Sequence, residues 1–395
     1  MAAGSASPSH LAGAPARPGR AAAPLIRIAL ACDALALLWV AGSLPAYARA
    51  FGVPEATAGF VFTASGLGFV VAVPLAGRLA DRWGKHRIAA WSCLGAAVGL
   101  LLFALSSDLA LGLLAATVAG AGLGCVESTA TALLAEMYPG QEGAANLSAQ
   151  VFFCVGAVLA PFWLLVPGLD WRSRFAGCAV VWMLLAFGFR LQTPSAGTRR
   201  ESGRGADARP AMPHLPDVAA VIVAMALYTG VEVAVWGWLY AVVSRSAGGA
   251  FWGAIELSAF WFAMGLGRWA VGRLCHRWPL PRWISLEAVV GAPALLLVLW
   301  APGGGWALGA AALCGLAFSG IWPSLVGLAQ QRHGDSALLT AWLVAAGGAG
   351  GLVVPAGFGF LVARAGVVVG AAVLAILLLP VAVLPSVGVR TDAGG

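Results

Sequence analysis

The sequence predicts an all-α polytopic membrane protein, with twelve transmembrane helices in two six-helix bundles related by a pseudo-two-fold repeat. Composition is the first reason: of 395 residues, 61% are hydrophobic and only 10% charged, with a mean hydropathy of +0.89. Soluble domains carry about a quarter charged residues. The second is that apolar runs long enough to cross ~30 Å of hydrocarbon, roughly 20 residues of helix, recur twelve times. The third is that one long polar connection, "QTPSAGTRRESGRGADARPAMPHLP" at 192–216, divides these runs six from six.

Taken in order, residues 1–23 are Ala, Gly, Pro and Ser with scattered Arg and predict a disordered cytoplasmic tail. They lack a contiguous hydrophobic core, so they do not read as a cleaved signal. Spans follow near 24–46, 57–79, 87–105, 109–135, 145–167 and 174–191, giving an N-terminal bundle over 24–191. After the linker, spans near 217–243, 251–274, 284–301, 304–330, 338–362 and 366–389 give a C-terminal bundle over 217–389 and a tail at 390–395. The runs are continuous, whereas barrel strands would alternate apolar and polar residues. With the N-terminus inside, eighteen Lys and Arg fall on the cytoplasmic side, Arg268 among them, and five fall outside. That asymmetry places both termini in the cytoplasm.

The net charge of +7 therefore reads as an orientation signal against an anionic inner leaflet, with the lipid bilayer as partner and no nucleic acid. The seven cysteines are scattered without a close pair, and all five histidines fall in tails or cytoplasmic loops. Neither pattern offers a disulfide framework or a metal site. No span pairs a nucleophile with a base and there is no phosphate-binding loop, so neither an enzyme nor an ATP-driven pump is expected. No cofactor is expected either.

The halves resemble each other. "GRLADRW" (77–83) and "GRLCHRW" (272–278) are identical at five of seven positions at an offset of 195, and Gly156 and Pro161 correspond to Gly350 and Pro355. Two repeated bundles facing a midplane site is a common transporter design. "GRLADRWGKHR" (77–87) resembles the signature loop between the second and third helices of the major facilitator superfamily. The resemblance implies the major facilitator fold and a cytoplasmic gating loop built from Gly77, Asp81, Arg82, Gly84 and Arg87. In it, Asp81 and the nearby arginines latch helix ends together as the bundles rock.

A narrower resemblance lies in "CVESTATALL", "ANLSAQVFFCVGAVLAP", "YTGVEVAVWGWLY", "SAFWFAMGLGR" and "GIWPSLVGLA". Together these are similar to the fucose:proton symporter branch and its sugar-transporting relatives. The resemblance implies that Asp33 in the first span and Glu127 in the fourth carry the proton. This chain has fewer polar residues than that branch places around a sugar.

Those acids also stand out on physical grounds. An ionised carboxylate at a helix centre costs a few kcal/mol even on the lenient insertion scale, so it faces a bundle interior or a watery cavity. Asp33 and Glu127 lie at matching depth, roughly 12–14 Å above the cytoplasmic surface at 1.5 Å per residue. Gly120, Gly124, Glu127 and Thr131 share one helical face suited to close packing or a cavity wall. Glu232 is the third proton-coupling candidate. It shares an i, i+4, i+8 face with Tyr228 and Trp236, whose flat rings suit a sugar or another semi-polar ligand. Trp238, Trp261 and Trp322 are placed to extend that wall. Asn146 and Gln150 offer hydroxyl-binding amides or a helix-to-helix hydrogen bond, whereas Glu256 and Glu287, nearer span ends, are expected to be solvated.

The expected function is secondary active transport of a small solute, a sugar being the candidate, by proton-coupled alternating access. The alternative is a proton-antiport exporter of a drug or metabolite. "VGAVLAPFWLL" (155–165) disfavours that alternative because Ala160 precedes Pro161 and no paired glycines follow, unlike the exporters of this superfamily. A monomer in the plasma or inner membrane is the expected state.

Overall fold

The computed structural model describes residues 22–137, 142–192, 215–245, 249–274, 277–300, 304–333 and 337–386. The two tails and the linker expected from the sequence lie almost wholly outside these residues. The side chains of Asp81 and Asn146 do too.

The described residues form helices throughout. The first half contains α1 (Ala22–Gly42), the short α2 (Leu44–Phe51) and α3 (Glu55–Ala58), then α4 (Phe60–Trp83), α5 (Lys85–Leu105), α6 (Leu109–Met137), α7 (Glu142–Leu164) and α8 (Trp171–Leu191). The second contains α9 (Leu215–Val243), α10 (Gly249–Leu274), α11 (Leu280–Trp300), α12 (Gly305–Phe318), α13 (Ile321–His333), α14 (Ala337–Ala365) and α15 (Val367–Val383). Eleven segments are long and apolar enough to cross a membrane, and α7 supplies a shorter apolar stretch at Gln150–Leu164. All twelve expected spans are therefore helical. Large apolar side chains such as Leu184, Phe187 and Val353 point outward, as lipid-facing surfaces require.

Local chemistry explains where helices stop. Gly84 separates α4 from α5 at φ 90°, a backbone region that L side chains avoid. Asp170 caps α8, its carboxylate accepting the Ser173 backbone N–H at 2.7 Å. Asp108 similarly accepts the Leu111 N–H at 3.0 Å near the start of α6. These two acids outside the spans are thus engaged at helix ends, which separates them from those buried within.

The internal repeat is visible in matched contacts. Trp39 Nε1 donates to the Ala160 carbonyl at 3.1 Å, tying the first span to the fifth. Trp238 Nε1 donates to the Pro355 carbonyl at 3.1 Å, tying the seventh to the eleventh. A Cβ on Gly156 would run into the Ala31 carbonyl, and one on Gly350 into the Ala226 carbonyl. Gly120 lies against Ser65 as Gly315 lies against Phe260. Small residues let these backbones touch, and van der Waals contact then replaces the hydrophobic driving force that lipid removes.

The tenth span departs from expectation. It is broken at Ser319 and Gly320 into α12 and α13 instead of running continuously. Both broken ends find partners. The Gly320 N–H donates to Glu287 Oε1 at 3.0 Å, and Tyr228 donates its hydroxyl to the Phe318 carbonyl at 2.6 Å. Glu287 is only 6% exposed and Glu256 0%, which corrects the expectation that both are solvated. Glu287 is spent on the helix break, and Glu256 sits two turns inside α10.

The halves meet through α4 against α14, α7 against α10 and α1 against α9. The α4–α14 seam runs from Phe60 on Phe360, through Thr63 donating to the Leu352 carbonyl at 2.9 Å, to Gly348 beside Val70. All of these lie in the half of α4 away from the end where α8 and α9 join the linker. At that far end Arg245 also forms an ion pair with Glu55.

Candidate site at the interface between the bundles

Four of the charged residues inside the spans, Asp33, Glu127, Glu232 and Arg268, gather where the two halves meet. Arg268, on α10, is the centre. Its Nη1 donates to Gln150 Oε1 on α7 at 2.7 Å and lies 3.7 Å from Cys154 Sγ. Its Nη2 lies 3.6 Å from Glu232 Oε1 on α9, with both side chains about nine-tenths buried. Glu127 on α6 faces Arg268 and Glu232 closely enough for their charges to interact, and Asp33 on α1 faces Glu127 in turn. Asp33 is 1% exposed, and neither of its carboxylate oxygens has a hydrogen-bond partner among the described residues. Glu232 and Glu127 thus face one guanidinium, and Asp33 reaches the group only through Glu127, in surroundings where an uncompensated charge costs several kcal/mol.

Arg268 is the buried cation that sequence reasoning missed, having been assigned to the cytoplasmic orienting charges. It is instead buried against Glu232 and Gln150. The available signal was its position: Trp261, Gly265 and Arg268 fall at i, i+4, i+7 on α10, and Trp-Ala-Val follows the arginine before the span ends. Gly265 is the small residue in that stripe, lying against Cys154, which lets α10 approach α7 closely enough for Arg268 to reach Gln150.

The aromatic candidates separate. Trp236 and Trp261 have ring centroids 6.3 Å apart, and Phe153 lies 5.7 Å from Trp261, forming a ring cluster across the interface. Trp261 is 3% exposed, and its indole N–H has no partner among the described residues. Tyr228 is fully buried, beside Glu232 but bonded to the break in the tenth span. Trp238 is committed to Pro355 and packs on Phe358. Trp322 is half-buried against the core. Of the two open readings of Gln150, the helix-to-helix bond is the one observed.

The gating-loop candidates sit apart from this cluster. Gly77, Arg82, Gly84 and Arg87 are exposed at the linker end. Leu75, Arg78, Leu79 and Arg82 line a groove of about 350 Å³ there.

Known proteins place this architecture. The chain is 26% identical over 179 residues to plastidic glucose transporter 4 of Arabidopsis thaliana, covering 44% of this chain and 33% of that protein. It is 32% identical over 176 residues to multidrug resistance protein MdtL of Shewanella sp., covering 42% of this chain and 44% of that one. It therefore matches less than half the length of these relatives. Among solved structures, the E. coli fucose:proton symporter superposes with a TM-score of 0.62 at 20% identity, over 92% of this chain and 98% of that one. The E. coli xylose transporter superposes with a TM-score of 0.73 at 14% identity, over 95% and 99%. At these identities the likeness establishes the fold. Residues 27–355 match the family as a whole, and the chain belongs to the Major Facilitator Superfamily of transporters.

Proposed function

We infer that this transporter moves a small solute by proton-coupled alternating access, with a sugar as the first candidate. The observation that carries the reading is the meeting of Asp33, Glu127, Glu232 and Arg268 at the interface between the halves. Burial favours the neutral form of a carboxyl group, so acids in such a place bind and release protons as the site is exposed to one side and then the other. Glu127 and Asp33 pass the proton, Glu232 couples it to Arg268, and Trp236 and Trp261 offer flat rings to the solute.

Lys and Arg distribution supports both termini and the linker in the cytoplasm of a plasma or inner membrane. On that orientation the Glu55–Arg245 end is external, and the seam along α4 and α14 closes the outer side. The loop with Gly77, Asp81, Arg82, Gly84 and Arg87 then latches the inner side when the halves rock the other way. The chain acts as a monomer of two bundles, 24–191 and 217–389, joined by the linker at 192–216.

Three of the similar proteins carry names that favour a sugar: a fucose:proton symporter, a xylose transporter and a glucose transporter. The stretch similar to a multidrug resistance protein supports the second reading, export by proton antiport. Reconstitution with a trapped pH-sensitive dye tests both. Symport predicts internal acidification on adding external fucose, xylose or glucose, and antiport predicts alkalinisation on adding a cationic drug. Glu127→Gln should abolish uphill accumulation while sparing solute exchange. Unchanged accumulation in that variant removes Glu127 from coupling.

A further inference from the structure

We propose that the solute site at Arg268 is built for a carboxylate with a flat apolar body, an aryl or similar organic acid, which exchanges with Glu232 for the guanidinium. The inference rests on the transport reading and departs from it in substrate class, putting an organic acid in place of the sugar.

The geometry around Arg268 is that of a cation incompletely engaged by its carboxylate. A tight Arg–carboxylate pair is bidentate with N···O of about 2.7–2.9 Å, whereas Arg268 and Glu232 stand 3.6 Å apart with one contact between them. The shorter bond goes to a neutral amide, Gln150. The guanidinium has five N–H donors in a planar fork that matches a carboxylate, and here that fork is held by neighbours too weak or too distant to saturate it. The donor surplus extends to Trp261, whose buried indole N–H has no partner among the described residues. Trp236 and Phe153 pack on Trp261, about two helical turns from Arg268 on the same face of α10, so the rings lie a ligand's length from the guanidinium. A sugar presents donors and acceptors in equal measure on a polar body. A carboxylate on an aromatic body presents acceptors to the donors and a flat face to the rings.

Charge conservation then supplies coupling. The titratable and charged groups facing Glu232 are Arg268 on α10, Tyr228 on its own helix, and Glu127 and Cys154 across the interface on α6 and α7. Arg268 is the single cation of that set. When a substrate carboxylate takes the guanidinium, Glu232 loses its counter-charge in a buried setting and takes up one proton from solution. Before binding, the Arg268 pair consists of a guanidinium and the Glu232 carboxylate. Afterwards it consists of a guanidinium and the substrate carboxylate beside a neutral Glu232 carboxylic acid, so the local charge is unchanged. An anion entering without the proton would leave an uncompensated negative charge there, which burial penalises heavily.

Tryptophan fluorescence titration of the purified full chain tests this, with benzoate, its neutral isostere benzamide, and glucose as probes. Benzoate should bind and benzamide and glucose should not. Benzoate affinity should rise about tenfold for each pH unit lowered between pH 8 and 6, reflecting one proton taken up. Glu232→Gln, neutral at every pH and close in shape, should keep benzoate binding but remove its pH dependence, while Arg268→Gln should lose it. Equal binding of benzamide, or benzoate affinity that is flat with pH in the unaltered protein, overturns the proposal. So does failure of benzoate to bind at all. Sugar-driven proton movement in the vesicle assay alongside any of those results would leave the transport reading standing with the organic-acid assignment removed.

Discussion

Arg268 and Gln150 form a 2.7 Å hydrogen bond between helices that belong to different halves of the molecule. The same guanidinium faces Glu232 within its own half. One side chain therefore links the buried charge cluster to the interface between the halves, and under the proposed alternating access, rocking the halves apart would break one of its contacts while leaving the other.

A double-mutant cycle checks that link. Gln150→Ala and Arg268→Lys should show a coupling energy of about 0.5–2 kcal/mol, the range for polar contacts between membrane helices, by denaturation in detergent. A coupling near zero would mean the contact contributes nothing to holding the halves together.

The far-end ion pair of Arg245 with Glu55 is partly exposed, at 49% and 26% of the side chains. Such a pair contributes less than about 1 kcal/mol. That is still enough to move a finely balanced equilibrium several-fold, since about 1.4 kcal/mol is a factor of ten. Glu55→Gln should increase alkylation of a cysteine placed at Thr63, in the seam, by a few-fold, and 1 M salt should do the same to the unsubstituted pair. Labelling that responds to neither change would show that the pair is not part of the closure.

Glu287 holds the broken tenth span by accepting the Gly320 N–H at 3.0 Å. Glu287→Ala strands that buried donor and should lower stability by about 1–3 kcal/mol. Glu287→Gln keeps an acceptor and should recover most of the loss. Equal melting temperatures for the Ala and Gln variants would show that the capping bond is not the source.

Asp170 gives a pH prediction outside the spans. Hydrogen bonds from the Ser173 side chain and then its backbone N–H hold its carboxyl below the usual 3.8. A depressed folded-state value means the cap contributes its full stability above the unfolded value and loses it as pH falls through the folded one. Asp170→Ala should therefore cost about 0.5–1 kcal/mol at pH 7, at the low end for an exposed cap. The gap between the two melting curves should close as pH falls below 3.8. A gap that persists there would place the effect elsewhere than the charged cap.

The sequence by itself determined the spans, the division into halves and the repeat, because each is written in residues close together in one helix or in the spacing of small residues. Gly156 and Gly350, matched in sequence, do meet matched carbonyls. Asp33 and Glu127, counted from the sequence to similar heights at about 1.5 Å per residue, do interact across α1 and α6. Tertiary structure alone decided which side chains face one another across helices. Hydropathy gave Arg268 the same value as any arginine near a span end, whose long stem lets its charge reach water; only the approach of α10 to α7 and α9 turned it inward to Gln150 and Glu232. The aromatic stripe of the seventh span likewise read as one surface, yet Tyr228 and Trp238 are bound to carbonyls of the tenth and eleventh spans. A helical period specifies a face, and the partner of that face is set by the packing of helices far apart in the chain.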